Sequence, residues 1–93
     1  MDRQELEAAL RRAFDAGADA AVVARQAGDV ADAGRFETDF DAELTVDDVV
    51  SNLRDAPAEY TLVERWNWWL GALDLSHGGY GRFSVRPDID RRS

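Results

Sequence analysis

The chain has 93 residues, a formal net charge of −8 and no cysteine. At this length we expect one domain, with a core that gives only marginal stability. The lack of cysteine excludes disulfides and cysteine-ligated metals, and the negative charge argues against nucleic-acid binding. No apolar run reaches the roughly 18 residues of a membrane span, and no signal-peptide pattern follows Met1. We therefore expect a cytoplasmic protein with no membrane partner.

The charged residues are unusual in kind. All eleven basic residues are arginine, and aspartate outnumbers glutamate by 13 to 6. A strongly acidic surface repels itself in dilute buffer, but molar salt shortens the Debye length to about 3 Å and screens that repulsion. This composition is typical of a halophilic acidic protein.

The first third of the chain predicts two helices. Asp2 and Glu5 give a capping-box-like start. The apolar positions that follow have helical spacing and are Leu6, Ala9, Leu10, Ala13 and Phe14. Gly17 is expected to end this helix and Asp19 to cap a second, Ala- and Val-rich helix, in which Gly28 is a weak point.

Residues 36–44 change to a period of two, with Phe36, Thr38, Phe40, Ala42 and Leu44 alternating with four acids. The alternation predicts a half-buried strand with an acidic outer face. A second alternating run, residues 82–86, is expected to pair with it. Acids two apart on a strand lie about 7 Å from one another, too far to share one ion, so we expect no metal and no cofactor.

Two more helices complete the predicted fold. Thr45 and Asp48 mark the start of one, which ends before Pro57, and helical periodicity returns from Ala58. The last helix has an apolar stripe of Leu62, Val63, Trp66, Trp69, Leu70 and Leu73. The expected fold is mainly α: a single small domain of about four helices with a minor two-stranded antiparallel β element. It would span residues 1–87, with a flexible tail at 88–93.

The stretch RWNWWLG places three tryptophans within four positions. At about 100° per residue, Trp66 and Trp69 share the stripe, whereas Trp68 falls about 200° from Trp66. An outward tryptophan is typical of a protein interface, which we expect to comprise Tyr60, Trp68, Gly71 and Leu75. Two alternatives stay open: other parts of the chain cover Trp68, or it lines a ligand surface.

Two further functions can be weighed from the sequence. Trp66, Trp69 and Tyr80 could line an aromatic pocket for a small ligand. His77 begins HGGY, which is similar to the glycine-rich oxyanion loop of lipases and esterases. The Gly-x-Ser-x-Gly nucleophile motif of those enzymes is absent, so we read His77 as a turn residue and expect no catalytic residues and no enzyme.

The stretch ERWNWWLGALDLSHGGYGRF resembles that of small haloarchaeal proteins. The resemblance covers the C-terminal third to half of the chain and implies a habitat, without an activity. Together with the outward Trp68, it leads us to expect a self-associating or protein-interaction module, most simply a homodimer. The alternative is the small-ligand binding module with a Trp-lined pocket.

Overall fold

The described residues, 1–14 and 17–85 of a computed structural model, form five α-helices and one turn of 3-10 helix. The helices are α1 (Arg3–Phe14), α2 (Ala18–Asp32), α3 (Arg35–Phe40), α4 (Val46–Arg54) and α5 (Leu62–His77), and the 3-10 turn is Gly81–Phe83. α2 packs against α1, α3 and α5, and α4 lies between α1 and α5. None of these helices is long and apolar enough to cross a membrane.

Asp2 caps α1, because its carboxylate accepts hydrogen bonds from the N–H groups of Gln4 and Glu5. The predicted capping box is only half formed, since the Glu5 side chain does not return a bond to the Asp2 N–H. The predicted cap of the second helix is wrong. Gly17, with φ of +58°, occupies the N-cap of α2, and Asp19 lies in the first turn, where its charge favours the helix dipole.

Gly28 does not interrupt α2. The Arg3 side chain lies over Gly28, where a Cβ would clash with it. Its guanidinium pairs with Asp29 and Asp32, each at 3.0 Å. The glycine therefore makes room for a contact between α1 and α2.

The predicted strand at residues 36–44 is wrong, because residues 35–40 form α3. Phe36 and Phe40 stack four residues apart with ring centroids at 4.5 Å, a contact that suits a helix. Arg35 and Asp39 also pair at this spacing. The same two phenylalanines fit both periods, and the poor strand propensity of aspartate favours the helix.

The predicted partner strand is wrong as well. Residues 81–83 form the 3-10 turn, and residues 84 and 85 have no regular structure. Within the described ranges no residue belongs to a strand. Residue 86, the end of the predicted strand, and the predicted tail at 88–93 lie outside those ranges.

Two capping boxes set the starts of α4 and α5. Thr45 and Asp48 exchange side chain–backbone hydrogen bonds at the start of α4, as predicted. Thr61 and Glu64 do the same for α5, four residues later than the predicted start at Ala58. Tyr60 consequently precedes the helix, so the predicted start at Ala58, which would have placed Tyr60 and Trp68 on one helix, is wrong.

Arg65 fastens the loop between α4 and α5. Its guanidinium donates to three backbone carbonyls, those of Leu53, Ala58 and Tyr60, at 3.0 to 3.2 Å. The same group lies 5.0 Å from the ring centroid of Phe14. The planar fork of an arginine spreads its donors over three nitrogens, and each of them binds a different carbonyl here, so this position suits arginine better than lysine.

The predicted stripe of α5 faces the core, and all six of its residues are buried. Around it lie Leu6 and Leu10 of α1, the small residues of α2, and Phe36. Tyr80 and Phe83, from the chain after α5, complete this cluster. The tryptophan stripe is therefore the centre of the fold.

Candidate functional site

One side of α5 has no partner within the described residues. This outward face consists of Glu64, Trp68, Gly71, Ala72 and Leu75, all of which are exposed. Trp68 keeps 39% of its surface accessible and Leu75 keeps 91%. Large apolar side chains on one exposed helix face are typical of a contact surface.

Gly71 lies between Trp68 and Leu75 on this face. Its backbone is helical, and among the described residues a Cβ added there would meet no atom within 4 Å. Glycine inside a helix costs about 1 kcal/mol relative to alanine. Neither a positive φ nor close packing against residues 1–14 or 17–85 requires this glycine, whereas a second backbone could approach closely at this point.

The other two tryptophans of the WNWW motif, residues 66–69, face inward. Trp66 is fully buried, and its indole Nε1 donates to the carbonyl of Phe83 at 3.0 Å. Trp69 packs edge-on against Trp66 and Phe36, at centroid distances of 5.8 and 6.3 Å. These aromatic contacts join α5 to α3 and to the chain that follows α5.

Asn67 lies between Trp66 and Trp68, and its role was not predicted from the sequence. Its amide donates to the carbonyl of Val85 at 2.6 Å and accepts from the N–H of Val85 at 2.8 Å. The amide thus pairs with a backbone as a neighbouring strand would. A polar amide between two tryptophans in an apolar helix was the signal that could have identified it.

Tyr80, proposed for a ligand pocket, is fully buried and its hydroxyl donates to Asp39 at 2.7 Å. This hydrogen bond, with the charge of Arg35, holds the pKa of Asp39 below its ordinary value. Burial and the adjacent carboxylate raise the pKa of Tyr80. Trp66, Trp69 and Tyr80 thus come together in the core, and the polar atoms of Trp66 and Tyr80 bind other parts of the chain.

His77 ends α5, and its ring lies 4.6 Å from that of Phe40. Its Nδ1 is 2.9 Å from the hydroxyl of Ser76, which also lies within 3.2 Å of the carbonyls of Ala72 and Leu73. Serine hydroxyls in helices commonly bond these preceding carbonyls, so the contact has a structural explanation.

The acids of residues 37–43 do not converge on a common point. In the part of the chain that the structure describes, no group of three carboxylate or imidazole side chains is placed to hold one metal ion. Asp39 turns toward Tyr80 and Arg35, whereas Glu37, Asp41 and Glu43 are exposed.

Comparison with known proteins identifies a family. Residues 1–74 match the WNWW domain family, and they include α1 to α4, most of α5 and the sequence WNWW at 66–69. No curated protein matches the chain. No solved structure matches it either. Because the family match covers most of its length, the chain belongs to the WNWW domain family.

Proposed function

We propose that this domain is a self-associating module that forms a homodimer through the outward face of α5. The observation that carries the proposal is the exposed pair Trp68 and Leu75 on either side of Gly71. The module acts by association and not as an enzyme.

A second copy is the occupant that this face suits best. In a two-fold arrangement the same face serves both partners. Each bulky side chain then meets the notch of the other copy, that is, the open surface at Gly71 between Trp68 and Leu75. Trp68 and Leu75 of one copy would flank Gly71 of its partner. Apolar area at the centre of such a contact supplies most of its affinity.

Salt strengthens this association. With a net charge of −8 on each copy, two subunits repel one another in dilute buffer. Molar salt screens the repulsion and favours the burial of apolar surface. The proposal therefore includes a cytoplasmic location in a salt-adapted cell. Two features support that setting: the all-arginine, aspartate-rich composition and the haloarchaeal resemblance.

The test is the mass of Trp68→Ala by analytical ultracentrifugation in molar KCl. We expect the variant to shift toward monomer while its helix content stays unchanged. Phe40→Ala is a matched control, because Phe40 is exposed to the same 39% but lies on α3. Equal mass for wild type and Trp68→Ala would refute the proposal.

The pocket alternative has no observation in its favour. Trp66, Trp69 and Tyr80 are packed in the core. The indole of Trp66 and the hydroxyl of Tyr80 already have hydrogen-bond partners, at Phe83 and Asp39. A ligand would have to displace part of the fold to reach them.

A further inference from the structure

The chain after α5 is bound to the helices in the manner of a peptide ligand. This C-terminal segment, residues 80–85, packs against α2 and α5 and bonds to α3. It contributes two buried aromatic side chains, Tyr80 and Phe83. The surface that receives it, called here the groove, presents four polar groups: the side chains of Asp39, Trp66, Asn67 and Asp74.

Most of these groups bind the backbone of the segment. The Asp74 carboxylate accepts from the N–H groups of Tyr80 and Gly81, at 3.0 and 3.4 Å. Trp66 donates to the carbonyl of Phe83, and Asn67 pairs with both backbone groups of Val85. Backbone hydrogen bonds that give affinity, with pockets for spaced side chains that give specificity, are a known mode of peptide recognition.

Two glycines connect α5 to the C-terminal segment. Gly78 and Gly79 have φ values of +78° and +84°, a region that other residues rarely adopt. They turn the chain back onto its own subunit, held by Arg35, which donates to the carbonyl of Gly78 at 2.7 Å. If these two residues adopted helical angles, α5 would continue and the segment would point away from the subunit.

We propose that the groove is a peptide-binding site that accepts the C-terminal segment of a second copy of this chain, with the glycine pair as the hinge of the exchange. The site fits that segment because it already binds the identical one in cis. A short linker gives the cis segment an effective concentration in the millimolar range, so exchange occurs when the cis turn is weakened or the chain is concentrated. This contact is separate from the outward face of α5.

The direct test uses a fluorescent peptide with the sequence of residues 79–85, GYGRFSV, and the full chain. Phe83→Ala weakens the cis segment, so this variant should bind the peptide at least tenfold more tightly than wild type. Adding Asn67→Ala to that variant should abolish binding. Absence of peptide binding to folded Phe83→Ala would overturn the proposal. If Phe83→Ala does not fold alone, recovery of helix content on adding the peptide supports the proposal, and no recovery overturns it.

A second test concerns the hinge, in a Trp68→Ala chain so that the α5 face cannot contribute. Gly79→Ala opposes the positive φ and would place a Cβ 2.5 Å from the Arg35 guanidinium. We expect this change to raise the dimer fraction several-fold at high protein concentration. Gly81→Ala is the control, since Gly81 has no positive φ and its Cβ would meet no atom of the described residues within 4 Å. An unchanged monomer fraction for Gly79→Ala would contradict the exchange.

Discussion

The side-chain amide of Asn67 holds both backbone hydrogen-bonding groups of Val85, at 2.6 and 2.8 Å. Because these groups are partly buried, each would lose a partner if the amide were removed. The residues of the WNWW motif therefore have different roles. Trp66, Asn67 and Trp69 hold the fold together, and Trp68 is left on the surface.

We expect Asn67→Ala to lower the free energy of unfolding by about 1–3 kcal/mol, since two hydrogen bonds are lost at once. Asn52→Ala is the control, because the side chain of Asn52 makes one hydrogen bond, to a carbonyl of its own helix. Urea denaturation of both variants measures the difference. Equal losses for the two would show that the amide of Asn67 does not hold the segment.

Trp66→Ala and Leu70→Ala should each destabilise the fold by about 2–5 kcal/mol, because they leave cavities in the core. In a domain of this size such a loss can abolish folding. Leu75→Ala, at a residue that is 91% exposed, should change the stability of the monomer by less than about 0.5 kcal/mol. Thermal melts in dilute solution compare the three. A wild-type melt for Trp66→Ala would contradict the assignment of the stripe to the core.

The Asp39 carboxylate gives the fold an acid-sensitive contact. Its pKa lies below the ordinary 3.8, because it accepts from the Tyr80 hydroxyl and faces Arg35. A pKa that is lower in the folded chain stabilises the fold above the unfolded value and is lost as the pH falls through the folded value. The stability advantage of wild type over Asp39→Asn should therefore be constant near neutral pH and shrink below 3.8. Urea melts across the acidic range test this, and a constant difference would contradict it.

The melting temperature should rise with salt. The chain has nineteen acidic residues and eleven basic ones, so its excess negative charges repel one another in dilute buffer. Salt screens that repulsion. Melts from about 0.1 to about 3 M KCl span the change in screening. A melting temperature that stays flat or falls would refute the halophilic interpretation.

Local signals in the sequence predicted much of this fold. The stripe of the last helix and the Thr45–Asp48 capping box were readable because both depend on residues within one or two turns. The Thr61–Glu64 box was equally readable and would have placed Tyr60 outside the helix. The error at residues 36–44 has a different origin. Phe36 and Phe40 satisfy both a strand and a helix, and the alternation was given more weight than the poor strand propensity of aspartate.

Contacts between distant residues could not be predicted. Asn67 meets Val85 and Tyr80 meets Asp39 only after the chain has folded. The direction of Trp68 was predictable, because helical periodicity fixes it once Trp66 faces the core. We propose that a second copy of the chain covers Trp68, and the sequence of one chain carries no local signal for such a contact.

The variant Gly71→Ala should affect the stability of the monomer and the stability of the dimer in opposite directions. Alanine in this open helical position should stabilise the monomer by about 1 kcal/mol, because it has the higher helix propensity. The added methyl group should at the same time weaken the dimer, since it fills the notch between Trp68 and Leu75. A thermal melt at low concentration measures the first effect. Tighter association of the variant would contradict the second.

We propose that two copies of the chain associate through the outward face of α5. Sedimentation equilibrium of the wild type over a range of concentrations in molar KCl tests it most directly, with Gly71→Ala alongside. We predict a dimer mass for the wild type that falls on dilution, and dissociation of Gly71→Ala at higher concentration. A wild type with the monomer mass at every concentration would contradict association through this face.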